Sequence, residues 1–251
     1  MTVYFSDGAV TLHHGRSEDI LPTLGVCADV CVTDPPYGET SLAWDRWPKG
    51  WPSLVAAALP SVTSLWCFGS MRMFLEQRDE FVGWRFAQDV IWEKPNGSGA
   101  SDGRFLRVHE NVAHWYRGQW ADVPRESQRE HVYSVDKSMR RPAGANSHRR
   151  ADRQTVYADD STRLVRSVMR RAQMRYQERH PTEKPAGIID PLIAYSCLPG
   201  GTVLDVFAGS GSVLDAARCS GRKAIGIEAD ERFCEVTATR LAQGSLFGAA
   251  S

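Results

Sequence analysis

The segment 203–212, VLDVFAGSGS, constrains the fold of this chain more than any other, because it joins an apolar strand to a helix through a glycine-rich turn. Gly209 and Gly211 let the backbone approach a ligand closely and adopt dihedral angles that are closed to other residues. No Gly-Lys-Ser/Thr follows, which excludes a Walker phosphate loop, and Leu214 stands where a dinucleotide fingerprint has its third glycine. The alternative interpretation is a purely structural βαβ turn.

Two carboxylates near this turn favour a binding site. Glu228 ends the next predicted strand, so in a parallel sheet it would lie beside the turn at the carboxyl edge. A carboxylate in that place can accept both hydrogen bonds from a ribose diol. Asp205, at the end of its own strand, could contact the charged amino-acid end of a ligand.

Strands and helices alternate along two apolar-rich blocks of the sequence. In the first block we predict strands at 29–33, 62–68, 85–93 and 112–116, with helices near 51–59 and from about 71. In the second we predict a helix from Pro185 to about 197, a strand at 202–206, a helix to about 219, a strand at 223–228 and a helix at 230–241. Such alternation indicates an α/β domain with a mainly parallel sheet and helices on both faces.

Length and composition point to a cytoplasmic globular protein. At 251 residues we expect one domain with a modest insertion. No apolar run approaches the roughly 20 residues that span a bilayer, and the first residues, MTVYFSDG, lack the pattern of a signal peptide, so no membrane partner is expected. The six cysteines form no CxxC pair, which disfavours a metal site or a disulfide framework and predicts reduced, mostly buried thiols.

The net charge is zero over the whole chain but is unevenly distributed. Residues 117–179 carry 15 Lys and Arg against 8 Asp and Glu, a net +7, so the remainder carries −7. Basic residues concentrated in one segment are what binding to a polyanion requires. A solvated charged face or a disordered tether is the alternative, and the basic helix that we predict around 161–179 could be an ordinary surface helix.

Asp34-Pro35-Pro36-Tyr37, directly after the predicted strand 29–33, is the more specific signal. The two prolines stiffen the turn and leave the Pro35 carbonyl without a local amide partner. The Asp34 carboxylate and this carbonyl form two adjacent acceptors, which suit an amino group with two N–H bonds. The Tyr37 ring can stack on a flat base. A plain strand-terminating Pro-Pro turn is the alternative.

These motifs, in this order, resemble the permuted β group of the DNA amino methyltransferases, which act on adenine N6 or cytosine N4. That family places Asp-Pro-Pro-Tyr early, a target recognition region in the middle and the cofactor motif last. Further segments resemble its motifs: Trp44-Asp45, 91–96 (IWEKPN), 109–111 (HEN) and 180–185 (HPTEKP), the last followed by 203–212 and 221–228. The resemblance covers roughly 1–117 and 180–243.

The resemblance implies an S-adenosylmethionine-dependent methyltransferase fold, with a Rossmann-like, mostly parallel sheet that contains one antiparallel strand. It implies a catalytic half at 1–117, an inserted basic target recognition region at 118–180 and a cofactor-binding half at 181–251. The base site would be formed by Asp34, Pro35, Pro36 and Tyr37. The S-adenosyl-L-methionine site would be formed by Asp205, Phe207, Ala208, Gly209, Ser210, Gly211, Glu228 and Lys184.

Position and charge alone make the middle region the predicted contact with double-stranded DNA, and Arg149 and Arg150 are its candidate residues. The family often has Gly-Asp where this chain has Gly15-Arg16. Whether Glu18 or Asp19 takes over that acidic role is left open, and neither is a predicted site residue.

Within the family, Asp at the first position of the motif is typical of adenine enzymes and Ser of cytosine enzymes, so Asp34 predicts transfer of a methyl group to N6 of a flipped adenine. Methylation of cytosine N4, of RNA or of a protein glutamine is the alternative within enzymes. A nucleic-acid-binding relative without catalysis is the alternative from another class. The resemblance also allows a homodimer, a cognate restriction nuclease as partner, and a place at the nucleoid or an origin in a phage or prophage.

Overall fold

The computed structural model describes residues 2–25, 27–42, 44–98, 103, 105–131, 162–171 and 183–248. The chain divides into two compact units, of which one is formed by Met1–Glu126 with Ser167–Ser251 and the other by Ser127–Arg166. The first unit is therefore discontinuous in sequence, because the second unit interrupts it.

The described strands are numbered in chain order. They are β1 (Thr2–Ser6), β2 (Val10–His14), β3 (Val30–Thr33), β4 (Thr63–Gly69), β5 (Arg85–Ser98), β6 (Arg107–Arg117), β7 (Arg129–His131), β8 (Thr162–Leu164), β9 (Val168–Arg170), β10 (Thr202–Asp205) and β11 (Lys223–Glu228). The described helices are α1 (Ser17–Leu24), α2 (Trp51–Ala58), α3 (Met71–Glu76), α4 (Ala186–Ser196), α5 (Ser212–Cys219) and α6 (Glu231–Gly248), with a 3₁₀ helix at Arg78–Phe81.

The first unit is built on a nine-stranded sheet in the order β1-β2-β11-β10-β3-β4-β6-β5-β9. The five strands from β2 to β4 in this order are parallel neighbours. β6 runs antiparallel to β4 and β5, which agrees with the one antiparallel strand that the resemblance implies. β1 adds a second reversed strand at the edge, which is not predicted. The amino end of β6 thus joins the carboxyl ends of the parallel strands at one edge, where open α/β sheets bind their ligands.

Helices cover both faces of this sheet. α1 and α2 contact each other and share a buried cluster with Cys31 of β3, while α4 and α6 each contact α5. Val30 and Val32 are also buried but lie outside that cluster, because successive side chains of a strand point to opposite faces. Burial on both faces explains why β3 is apolar at every position instead of alternating.

Most of the predicted elements are confirmed. β11 has the predicted bounds, and the other predicted strands and helices of the two apolar blocks are present with shifted ends. The sequence predicts no element before residue 29, where the structure has β1, β2 and α1. β1 is largely exposed and α1 contains Pro22, so neither shows a clear apolar period.

The basic helix predicted around 161–179 is wrong over the described residues 162–171, which form β8 and β9. β9 pairs in parallel with β5 through Val168, and its Met169 is buried. Pairing and burial of this short segment outweigh the helical spacing of its arginines. Residues 172–179 lie outside the described part of the chain.

The second unit contains the antiparallel pair β7 and β8. Glu130 lies opposite Arg163 in this pair, and their side chains form an ion pair of 2.8 Å. Arg129 Nε donates to Thr162 Oγ1 at 2.7 Å. The described part of this unit is therefore a polar two-stranded ribbon.

No helix in the described ranges is long and apolar enough to cross a membrane. The cysteines Cys31, Cys67, Cys197 and Cys234 are buried thiols, Cys27 is partly buried and Cys219 is exposed; all six are free.

Candidate active site

The two predicted motifs meet because β3 and β10 are parallel neighbours. Asp34 follows β3 and the glycine turn 206–211 follows β10, so both lie at the carboxyl edge of the sheet. Thr33 Oγ1 donates to Asp205 Oδ1 at 2.7 Å, and both side chains are buried. This hydrogen bond ties the end of one motif directly to the beginning of the other.

The glycines of the turn have different surroundings. Gly211 has a φ of +78°, and a Cβ placed on it would lie 2.6 Å from Thr237 Cγ2 of α6. Gly209 has a φ of +51°, and a Cβ placed on it would have the Phe207 carbonyl oxygen as its nearest neighbour, at 3.9 Å. Gly211 is therefore required by its own dihedral angle and by α6, while open space for a ligand lies at Gly209.

Glu228 holds the turn by its backbone. Its Oε2 accepts the Gly209 N–H at 2.7 Å and its Oε1 accepts the Asp230 N–H at 2.8 Å. Burial raises the pKa of this carboxyl, and the two amide hydrogen bonds oppose that rise. Each carboxylate oxygen can accept more than one hydrogen bond, so the predicted contact with a ribose diol stays compatible with this geometry.

Asp205 is 2% exposed, and burial raises its pKa to about 7. Its Oδ1 also accepts the Phe207 N–H at 3.1 Å. The Phe207 ring meets Trp51 edge to face at 5.6 Å. The remaining predicted cofactor residues of the turn are ordered by local contacts: Ala208 N–H donates to the Ile227 carbonyl and Ser210 is buried.

The Asp34 carboxylate already has a partner on each oxygen. Its Oδ1 accepts the Tyr37 hydroxyl at 2.7 Å and its Oδ2 lies 2.6 Å from Lys184 Nζ. Burial raises the pKa of Asp34, Lys184 opposes the rise and the nearby Glu110 adds to it. Among the described residues, no hydrogen bond reaches the Pro35 carbonyl, which leaves it open as an acceptor.

Glu110 of β6 is the centre of a partly buried charge cluster, which we call the Glu110 cluster. It contains Asp34, Tyr37, Lys94, Glu110 and Lys184. Glu110 Oε1 lies 2.8 Å from the Tyr37 hydroxyl and 3.2 Å from Lys184 Nζ, and Oε2 lies 2.9 Å from Lys94 Nζ. Burial disfavours the Glu110 carboxylate, but the two ammonium groups outweigh it and lower its pKa to about 2. At Lys184, burial disfavours the ammonium form, but the Asp34 and Glu110 carboxylates outweigh burial and raise the pKa of Lys184.

Two of the predicted site residues, Lys184 and Tyr37, make contacts that the sequence does not predict. Lys184, predicted for the cofactor, has its ammonium group on Asp34 and Glu110. Tyr37, predicted to stack on a base, has its hydroxyl within hydrogen-bond distance of both carboxylates. Burial, together with these two carboxylates, raises the pKa of Tyr37 well above its usual value. Arg149 and Arg150 lie outside the described residues.

A cavity of about 220 Å³ opens at the same edge, where the carboxyl end of β4 meets the amino end of β6. It is lined by Ser70, Met71, Arg72, Arg107, His109 and Asn111. The loop that follows the acceptor motif 34–37 is held by Asp45. This side chain is buried and accepts hydrogen bonds from the backbone N–H groups of residues 38–40. A hydrogen bond with the Thr40 side chain and the three backbone hydrogen bonds outweigh burial and lower the pKa of Asp45.

A family model described as DNA methylase, N6_N4_Mtase, matches residues 28–239 and thus most of the chain. The chain belongs to this family. The resemblance seen in the motifs is confirmed by this match.

Individual relatives agree with the family and with the fold. The type II methyltransferase M2.DpnII of Streptococcus pneumoniae is 24% identical over 199 residues, which cover 77% of this chain and 65% of that protein. The structure of M1.HpyAVI in complex with SAM superposes with a TM-score of 0.61 and 18% identity over 92% of this chain and 99% of that one. The PvuII DNA methyltransferase, described as cytosine-N4-specific, gives a TM-score of 0.65 and 15% identity over 95% of this chain and 88% of that one.

Four residues of the site, Lys94, Glu110, Thr33 and Thr237, have no role predicted from the sequence. Lys94 and Glu110 belong to segments that carry the resemblance. In the structure Glu110 is buried, as are the four residues that follow it along β6. A carboxylate in such a strand needs a cation nearby, because burying an unpaired charge is costly. Thr33 and Thr237 carry no comparable signal, since threonine is common in strands and helices.

Proposed function

We propose that this protein transfers a methyl group from S-adenosylmethionine to the N6 amino group of an adenine in double-stranded DNA. One observation carries the proposal: the acceptor motif 34–37 and the glycine turn after β10 share one sheet edge and are joined by the Thr33–Asp205 hydrogen bond. The cofactor that donates the methyl group and the base amino group that accepts it would lie side by side at this edge.

The residues at the turn suit S-adenosylmethionine. Open space lies at Gly209, and the carboxylates of Glu228 and Asp205 offer acceptors at the ends of adjacent strands. Glu228 would hold the ribose diol and Asp205 the amino-acid end. When bound, this cofactor supplies an electrophilic methyl group on a positively charged sulfur.

The acceptor motif would activate a poorly nucleophilic nitrogen. The lone pair of an exocyclic amino group is delocalised into the base. Hydrogen bonds from its two N–H groups to Asp34 and to the Pro35 carbonyl favour a pyramidal nitrogen and stabilise the developing positive charge. Asp34 acts here as an acceptor in its ionised form, and the proton can leave the nitrogen after transfer.

Double-stranded DNA is the proposed substrate, and the target base has to leave the stack. The acceptors lie at a sheet edge among partly buried side chains, and Asp34 itself is only 26% exposed. A base paired inside a duplex cannot reach such a group, so flipping is required. The homodimer and the cognate nuclease stay predictions of the resemblance, which gel filtration and co-purification would test.

The choice of adenine N6 rests on Asp34 at the first position of the motif. Both adenine and cytosine present a flat ring with an exocyclic amino group, so the acceptors themselves could serve either base. The test is reaction with labelled S-adenosylmethionine and mixed-sequence duplex DNA, followed by hydrolysis to nucleosides and separation by mass. We expect label in N6-methyladenine. Label mainly in N4-methylcytosine would overturn the choice of base, and bound cofactor without labelled DNA would favour RNA, a protein or the silent relative.

A further inference from the structure

Glu110 and Lys184 contact the acceptor motif but have no role in the proposed function so far. Both Lys184 and the Tyr37 hydroxyl contact Asp34 on one side and Glu110 on the other. Four side chains from three separate parts of the chain thus close a ring. Lys94 completes the charge balance with a 2.9 Å contact to the other Glu110 oxygen, Oε2. The Glu110 cluster holds two carboxylates and two ammonium groups.

The ring has a consequence for a substrate amino group. Asp34 has a partner on each of its oxygens before any base is bound. A carboxylate oxygen can accept a second hydrogen bond, so an entering N–H donor shares Asp34 with these partners. The Lys184 ammonium is a charged N–H donor on Oδ2 and therefore competes with the entering amino group for that oxygen. Glu110 Oε1 is already 3.2 Å from the same ammonium, so Lys184 can move to it without losing a charged partner.

We propose that Glu110 is a positioning residue, which takes over Lys184 from Asp34 when a base amino group enters, while Lys184 keeps Asp34 ionised until then. The proposal rests on the proposed function of the acceptor motif and assigns Lys184 to the base site in place of the cofactor site. Glu110 touches neither substrate nor cofactor in this scheme. It acts through the position of Lys184.

The ionisation of Asp34 makes this testable, because only the carboxylate form accepts an N–H. Titratable groups from five elements or loops act on Asp34. They are Tyr37 of its own turn, Lys184 before α4, Glu110 of β6, Cys67 of β4 and Asp205 at the end of β10, with Lys94 of β5 behind Glu110. Burial raises the pKa of Cys67 well above its usual value and leaves that thiol neutral. Lys184 lowers the pKa of Asp34 and Glu110 raises it.

Opposite charges therefore predict opposite shifts of the pH profile. The methyl-transfer rate falls as the pH drops through the pKa of Asp34, which is the acidic limb. Lys184→Met should move this limb to higher pH, because it removes the charge that favours ionisation. Glu110→Gln should move it to lower pH and also reduce the rate about 10- to 100-fold, since Lys184 is left without its second anchor.

The experiment is single-turnover methyl transfer to duplex DNA from pH 5 to pH 9, with cofactor affinity measured by calorimetry. Lys184→Arg keeps the charge and should return the limb to the wild-type position. Arg78→Met and Asp79→Asn remove the same charges from an exposed ion pair outside the Glu110 cluster and should leave the profile unchanged. Cofactor affinity should stay within about threefold in all variants, since no ligand hydrogen bond is lost.

Shifts in the same direction, or none, would overturn the proposal. A large loss of cofactor affinity in Lys184→Met would also overturn it and return Lys184 to the cofactor site.

If either variant lacks the wild-type circular dichroism spectrum, Lys184→Gln and Glu110→Leu make the same charge changes. If the wild-type protein methylates no DNA, the proposed function fails separately. Carbon-13 titration of the Asp34 carboxyl, identified with Asp34→Asn, then decides whether the opposite shifts are present.

Discussion

Replacing Asp205 by asparagine should stabilise the protein at neutral and alkaline pH. The side chain is buried, and its Oδ1 accepts hydrogen bonds from Thr33 and from the Phe207 N–H. Asparagine keeps an oxygen for both donors and carries no charge at any pH. The substitution therefore removes the buried negative charge and leaves the hydrogen bonds in place.

The size of the effect follows from the pKa of Asp205. Its ordinary pKa is 3.8, and burial raises the pKa in the folded protein to about 7. A raised pKa in the folded state means that the folded state binds the proton more tightly, so this stabilisation is complete below about pH 4 and is lost as the pH rises to about 7. A difference of about three pKa units corresponds to roughly 4 kcal/mol of stability missing from the wild-type protein above pH 7.

Urea denaturation of both proteins at pH 5 and pH 8 measures this directly. The free energy of unfolding of Asp205→Asn minus that of the wild type should be about 3 kcal/mol larger at pH 8 than at pH 5. Asp79→Asn changes an exposed aspartate and should give a difference that does not depend on pH. A constant difference for Asp205→Asn would refute the reasoning that its burial is the cause. We also expect cofactor affinity to fall about tenfold or more, because a hydrogen bond to a charged group is lost.

Four further variants test the proposed site. Asp34→Ala should lower turnover about 10²- to 10³-fold at nearly unchanged cofactor affinity, and retention of more than about a tenth of the activity would contradict its role. Glu228→Ala and Gly211→Val should each weaken cofactor binding in calorimetry, the second because a Cβ at Gly211 would lie 2.6 Å from a side chain of α6; normal affinity in both would remove the cofactor site from this turn. Replacing Arg149 and Arg150 together by alanine should weaken DNA binding and reduce the slope of log K against log salt by about 2. An unchanged slope would mean that these arginines do not contact phosphates.

The elements that the sequence predicts well are those whose burial leaves a pattern. β11 and β10 are short apolar runs that end at a carboxylate and at a glycine turn, and both signals are local. β9 is not predicted, because its three residues, VMR, are too few to show a period and gain their strand conformation from pairing with β5. The acceptor motif 34–37 is also predicted from a local signal, because its residues are consecutive in the sequence.

The Glu110 cluster could not be predicted from the sequence. Asp34, Lys94, Glu110 and Lys184 are spread over 151 positions of the chain, and only the order of strands in the sheet brings them within hydrogen-bond distance. The sequence indicates that each is charged, but the strand that it predicts at 112–116 does not include Glu110. It does not indicate which cation serves which carboxylate. For the same reason the motif predicts Lys184 for the cofactor, while its ammonium is found on Asp34.

The two halves of the site differ in how they balance charge, and the difference fits the proposed chemistry. The Asp34 carboxylate has an ammonium partner, and Glu110 has two. Among the described residues, no cation lies within ion-pair distance of Asp205 or Glu228, whose oxygens accept backbone N–H groups and a threonine hydroxyl. Under the proposed function, the first half receives a neutral amino group and needs its own cations to keep Asp34 ionised. The second half receives a ligand with a positively charged sulfur and an ammonium group, and its unbalanced carboxylates favour that ligand over an uncharged one of the same shape.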